Sequence, residues 1–125
     1  MAKILVVDDE KDICGTLRDI FIGEGYEVDI ANSGKEAIKK VKTRKPDLIL
    51  LDVRMPGMNG VETLKAIRKI DKEVPVAMIT AYEDVDLAQE ALRLGAYDYI
   101  KKPFGIEYLR ASILSKVFPQ NDKNN

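Results

Sequence analysis

The chain has 125 residues, room for one ordinary domain, and its 46% hydrophobic content is enough for a continuous core. Twenty basic residues stand against 21 acidic ones, which gives no general field for nucleic acid or an anionic membrane, and no apolar run approaches the ~20 residues of a bilayer span. The single Cys14 excludes an internal disulfide, Met1-Ala2-Lys3 opens no signal-peptide pattern, and histidine is absent, so the expected setting is cytoplasmic and no imidazole of its own serves as base, ligand or phosphohistidine.

Along the chain, short apolar runs alternate with longer stretches of helical spacing. Residues 4–7 read as a first strand and run into Asp8-Asp9-Glu10. Ile13, Leu17, Ile20 and Phe21 then share a helical face, closed by Gly25 as a C-cap glycine. Residues 28–31 form the second strand, and Asn32-Ser33-Gly34 opens a helix marked by Ala37, Ile38 and Val41. Its basic stretch, Lys39-Lys40 and residues 42–45, reads as a solvated face. The third strand, 48–51, leads into Asp52. The turn-rich Pro56-Gly57-Met58-Asn59-Gly60 precedes a helix with Val61, Leu64, Ile67 and Ile70 on its inner face. Residues 76–79 form the fourth strand, ending in Thr80-Ala81, and Val85, Ala88 and Leu92 mark the next helix before Gly95. Residues 97–100 form the fifth strand, followed by Lys101-Lys102-Pro103 and a last helix with Ile106, Leu109, Ile113 and Val117. The expected domain spans 1–118, with a polar tail at 119–125.

Strand and helix in strict alternation imply βαβ crossovers, hence an α/β fold with a parallel sheet and helices on both faces. Strands one, three and four are almost continuously apolar, as strands covered on both sides are. Ligands of open α/β sheets bind at the carboxyl ends of the strands. Those ends carry Asp8, Asp9, Asp52, Thr80 and Lys102. Singly, each has an ordinary reading: helix N-cap, turn residue, strand-end hydroxyl, solvated lysine. Those readings do not predict that all five converge. Clustered carboxylates call for a cation. Oxygen-only ligands favour a hard ion such as Mg²⁺. A lysine and a hydroxyl opposite them outline a phosphoryl site, and aspartate is a known nucleophile for that group.

Asp8-Asp9, the segment 50–60 around Asp52, Thr80-Ala81 and Lys102-Pro103 together resemble the signature of bacterial two-component response-regulator receiver domains, over about residues 3–118. The resemblance implies a flavodoxin-like, chemotaxis-protein-like (βα)5 sandwich with strand order 2-1-3-4-5. It implies that Asp52 is the phosphoacceptor. It also implies that Asp9 binds Mg²⁺ directly, Asp8 holds coordinating water, and the backbone carbonyl of Arg54 is a further ligand. Thr80 would turn inward to the phosphoryl oxygen, Lys102 would pair with it, and Tyr99 would be the aromatic switch. Pro103 would follow a cis peptide bond. Arg54 and Tyr82 would overhang the site, restrict water and slow self-dephosphorylation. Met55, Met58 and Met78 read as filler, and Cys14 as a small buried hydrophobe.

The implied donors are a sensor histidine kinase or a histidine phosphotransferase docking near Ile13 and Thr16, with a downstream regulator or output domain as recipient. Neither membrane nor direct nucleic-acid binding is expected. The chain is expected to be either a stand-alone receiver, like the single-domain receivers of sporulation phosphorelays, or the receiver of a longer regulator. Two competing classes fit less well. A phosphatase of the haloacid dehalogenase type needs an aspartate where Arg54 stands, so no turnover enzyme is expected. A flavin or nucleotide module needs a glycine-rich or hydroxyl-rich first turn, where Asp8-Asp9-Glu10 would repel phosphate.

Overall fold

The computed structural model describes residues 1–117, without the side chain of Tyr82. The expected tail at 119–125 lies outside the described residues, as does any position of the Tyr82 side chain over the site. The elements follow in the order β1 (Lys3–Val7), α1 (Lys11–Gly23), β2 (Glu27–Ala31), α2 (Gly34–Arg44), β3 (Leu48–Asp52), α3 (Gly60–Ile70), β4 (Val76–Thr80), α4 (Val85–Arg93), β5 (Asp98–Lys101) and α5 (Ile106–Leu114). A 3-10 turn over Tyr82–Asp84 joins β4 to α4. All pairings are parallel, in the order β2-β1-β3-β4-β5, as the resemblance implied.

The sheet separates two cores because side chains alternate along each strand. Leu5, Val7, Ile49, Leu51 and Met78 pack beneath α2, α3 and α4. Ile4, Val6, Leu50, Ala77 and Ile79 pack against Leu17 and Phe21 of α1 and Leu109 and Ile113 of α5. The three central strands are buried nearly throughout, matching their unbroken apolar runs. The outer strand β2 is only half covered and carries Glu27 and Asp29. Among the described residues, no helix is long and apolar enough to cross a membrane.

Local signals set the helix ends. The Ser33 hydroxyl accepts the Glu36 N–H at 3.2 Å. Asn59 and Glu62 form a reciprocal capping box, both bonds 2.9 Å. Gly25 and Gly95 follow α1 and α4 with φ of +95° and +101°, a region that favours glycine. The structure shifts β5 one residue beyond the expected 97–100: Tyr97 falls outside it, and Lys101 joins the ladder opposite Thr80 through its backbone. It also places Asp52 and Thr80 inside their strands rather than after them.

Gly60 is where the fold and the site meet. Its N–H donates to the Val53 carbonyl at 2.7 Å, and a Cβ there would collide with the carbonyl oxygen of Asp52. Gly15, inside α1, has open space around it. Gly60→Ala is therefore expected to destabilise the domain by about 1–3 kcal/mol, and Gly15→Ala to stabilise it by about 0.4–1 kcal/mol, both read from urea unfolding midpoints.

Candidate functional site

β1 and β3 lie side by side at the centre of the sheet, so their ends deliver Asp8 and Asp52 to one spot. The carboxylates of Asp8, Asp9 and Asp52 each offer an oxygen within 4.8 Å of the others. Asp8 and Asp52 are buried, while Asp9 is exposed. Asp8 is fixed on every side. Its N–H donates to Ala31 at 3.1 Å, and its carboxylate accepts the Glu10 N–H at 2.9 Å. Its carbonyl accepts the Asn32 amide at 2.9 Å and the Cys14 thiol at 3.3 Å.

Lys102 enters from the end of β5. Its N–H donates to the Thr80 carbonyl at 2.8 Å, and the peptide bond to Pro103 is cis. Its Nζ stands 3.1 Å from Asp8, 3.4 Å from Glu10 and 3.5 Å from Asp52. Burial, then the Asp8 charge, pushes the Asp52 carboxyl up from 3.8 to about 7, against the pull of Lys102 and the Arg54 N–H. Burial alone would lower Lys102; the carboxylates of Asp52, Asp8 and Glu10 outweigh it and raise its pKa. Cys14 is pushed up to about 11, first by burial and then by Asp8, so it stays a thiol and packs as the small apolar group its sequence context suggests.

The donor set suits a hard cation: oxygen atoms only, three carboxylates, one of them open to solvent. Asp9, Glu10, Asp52, Arg54, Ala81 and Lys102 help to line an open cleft of ≈ 480 Å³. At ~30 Å³ per water, that is ample for a hydrated ion and a phosphoryl group.

The structure gives the resting placement of three residues that the sequence singled out. The Thr80 hydroxyl is fully buried and donates to the Ala81 carbonyl at 3.0 Å, with the Asp84 carbonyl at 3.5 Å, so it faces the following loop rather than Asp52. Tyr99 is half-buried and, like Leu87 and Leu92, packs against the core on the α4 side of the sheet. Arg54 borders the cleft, yet its guanidinium does not hang freely over it: Nε lies 3.0 and 3.2 Å from the two carboxylate oxygens of Asp84, and Nη2 also bonds Asp84. Its N–H reaches Asp52 at 3.4 Å.

Asp84 and Glu10 are the site residues that sequence reasoning missed. Glu83-Asp84 before a helix has the look of an ordinary acidic first turn. Only the fold reveals its partner, 30 residues away. Glu10 could have been included from its place in the Asp8-Asp9-Glu10 run.

The chain matches the family described as the response regulator receiver domain over residues 4–114. It is 41% identical over 111 residues to the sporulation initiation phosphotransferase F of Bacillus subtilis (strain 168), covering 89% of this chain and 90% of that protein. It is 46% identical over 110 residues to the transcriptional regulatory protein ZraR of Escherichia coli O157:H7, covering 88% of this chain but 25% of that protein. The chain thus spans about a quarter of the length of such regulators. Among solved structures, the chemotaxis protein CheY4 of Vibrio cholerae superposes with a TM-score of 0.87 at 35% identity, covering 94% of this chain and 99% of that one. A receiver domain protein from Clostridium thermocellum gives 0.90 at 30% identity, with 97% and 98% covered. A family match across nearly all the described residues, on a sheet of the same order with the acidic cluster at its carboxyl edge, makes this chain a response regulator receiver domain.

Proposed function

We propose that Asp52 is the residue that accepts the phosphoryl group, from a phosphohistidine on a partner protein. One observation carries this reading: Asp8, Asp9 and Asp52 gather their carboxylates within 4.8 Å while the Lys102 amine stands 3.5 Å from Asp52. Asp8, Asp9, Asp52 and the Arg54 carbonyl would hold Mg²⁺. Bound there, the ion would supply positive charge against the carboxylates and the oxygens of the transferring group.

An Asp52 oxygen attacks the phosphorus in line. The P–O bond forms as the P–N bond breaks, and the bonding pair stays with the donor imidazole. Lys102 neutralises oxygen charge from across the cleft. The phosphoryl group leaves ≈ −1.5 to −2 of charge on Asp52. Thr80 then releases the Ala81 carbonyl and donates to a phosphoryl oxygen, and Tyr99 moves inward with it. The surface of α4, β5 and α5 changes as a two-state equilibrium shifts. The chain assists only its own phosphorylation and dephosphorylation. Arg54, bound to Asp84, is no general acid for a free substrate.

An apolar strip lined by Ile13, Thr16 and Phe104 adjoins the cleft and shares Glu10 and Lys102 with it. It suits a helical partner whose phosphohistidine must reach Asp52. The sporulation protein matched along most of its length supports a stand-alone relay role; the longer regulators support a receiver within a larger chain.

Incubation with acetyl phosphate and Mg²⁺ is expected to add one phosphoryl mass to the wild type and none to Asp52→Asn; labelling of both rejects Asp52 as acceptor. With a phosphorylated histidine phosphotransferase, Ile13→Ala and Phe104→Ala should slow transfer at least fivefold more than they slow labelling by acetyl phosphate. Equal effects on both reactions reject the docking strip.

The Asp52 carboxyl also predicts a pH dependence. Between 3.8 and about 7 the folded chain holds a proton that the unfolded chain has lost, so stability falls as pH rises through that window. In EDTA, the wild-type melting temperature should drop by roughly 5 °C more than that of Asp52→Asn between pH 5 and pH 8. Mg²⁺ should raise the wild-type value more at pH 8 than at pH 5. Parallel wild-type and variant curves argue against a protonated Asp52.

A further inference from the structure

Arg54 and Asp84 meet at the mouth of the cleft from two different loops. Arg54 stands two residues after Asp52, between β3 and α3. Asp84 closes the 3-10 turn between β4 and α4. The guanidinium fork grips both carboxylate oxygens. The burial is lopsided: the Asp84 side chain is 1% exposed and that of Arg54 69%. The carboxylate has given up its water and depends on the guanidinium, whereas the guanidinium keeps solvent on its outer side. Removing the cation alone would leave a buried carboxylate without a charge partner, the costlier way to break such a pair.

Asp84 also touches the Thr80 hydroxyl through its backbone. Its carbonyl stands 3.5 Å from Thr80 Oγ1, and its N–H donates at 3.1 Å to the Ala81 carbonyl. That same Ala81 carbonyl accepts the Thr80 hydroxyl at 3.0 Å. Side chain, amide and carbonyl of one residue therefore hold the loop on which the Thr80 hydroxyl is parked.

We propose that Asp84 is a positioning residue: its ion pair with Arg54 latches the β4–α4 segment in the arrangement that keeps the Thr80 hydroxyl off Asp52, and so sets the resting population of the switched state. The latch rests on Asp52 and Thr80 acting as phosphoacceptor and recruited hydroxyl. For Thr80 to reach a phosphoryl oxygen it must leave both carbonyls, and the segment bearing them is clamped at Asp84. A phosphoryl group on Asp52 would bring fresh negative charge into the cleft that Arg54 and Asp84 also line, where the backbone N–H of Arg54 donates to Asp52 at 3.4 Å. On this proposal, that charge competes with Asp84 for the one guanidinium. Phosphorylation weakens the latch with the same charge that recruits Thr80.

The test uses amide resonances of Ala81, Asp84 and Tyr99 in the full chain with Mg²⁺. Wild type without and with saturating beryllofluoride, an analogue of the phosphoryl group on a carboxylate, defines the resting and switched ends. Asp84→Asn keeps the shape and removes the charge. Arg54→Gln removes the cation, and Arg54→Lys keeps a charge without the fork. Without beryllofluoride, Asp84→Asn and Arg54→Gln should lie displaced toward the switched end, with Arg54→Lys between them and wild type. Asp84→Asn should half-saturate with beryllofluoride at about fivefold lower concentration, the low end of ordinary coupling strengths. Folded variants whose resonances stay at the wild-type resting positions overturn the latch. If circular dichroism shows Asp84→Asn unfolded, the Arg54 pair, altered on the solvent side, decides the matter by the same resonances. A wild type that gains no switched end with beryllofluoride overturns the phosphoacceptor reading instead.

Discussion

Two carboxylates buried at the ends of neighbouring central strands, answered by one amine, are the constraint around which this domain is arranged. Asp8 and Asp52 are both withdrawn from water, and Lys102 stands 3.1 and 3.5 Å from them. Such a cluster persists only if its members are held in place, since each alone would sooner face solvent or take up a proton. The surrounding bonds do that holding. Asp8 is tied by Ala31 and Glu10, Lys102 by the Thr80 carbonyl, and the Asp52 backbone lies against Gly60, where no side chain would fit. Gathered so, the carboxylates of Asp8, Asp9 and Asp52 form an oxygen donor set that suits a hard cation.

The two faces of the sheet carry different groups. Asp8 adjoins α1, and the apolar strip of Ile13, Thr16 and Phe104 lies on the side of α1 and α5. Arg54, Asp84 and Tyr99 belong to the loops and core on the side of α3 and α4. Asp52 sits on the strand between the two layers. Under the proposed function, a donor would approach from the α1 side while the conformational response would develop on the α3 and α4 side.

Much of this was legible in the sequence for a physical reason. Strands buried on both faces read as unbroken apolar runs, so the first polar residue after each run marks the carboxyl edge of the sheet. That reasoning finds Asp8, Asp52 and Thr80 directly; after 97–100 it stops at Lys101, one residue short of Lys102, which the resemblance supplied. The order of the strands was not in the periodicity and came from the resemblance alone. The orientation of the Thr80 hydroxyl was not readable either, since a rotamer is chosen by neighbours that only the fold supplies. The same holds for the pairs Arg54–Asp84 and Lys102–Glu10, which span 30 and 92 residues and leave no local trace. The offset of β5 reflects a ladder that runs through backbone groups whatever their side chains.

The outermost strands have a consequence for how copies of this domain can associate. At one margin, β2 presents Glu27 and an Asp29 that lies 3.9 Å from Arg44; at the other, β5 is only four residues long and begins and ends on charge. Short or charged margins deter a neighbouring chain from adding its own strand. Self-assembly by sheet extension is thereby discouraged at high protein concentration.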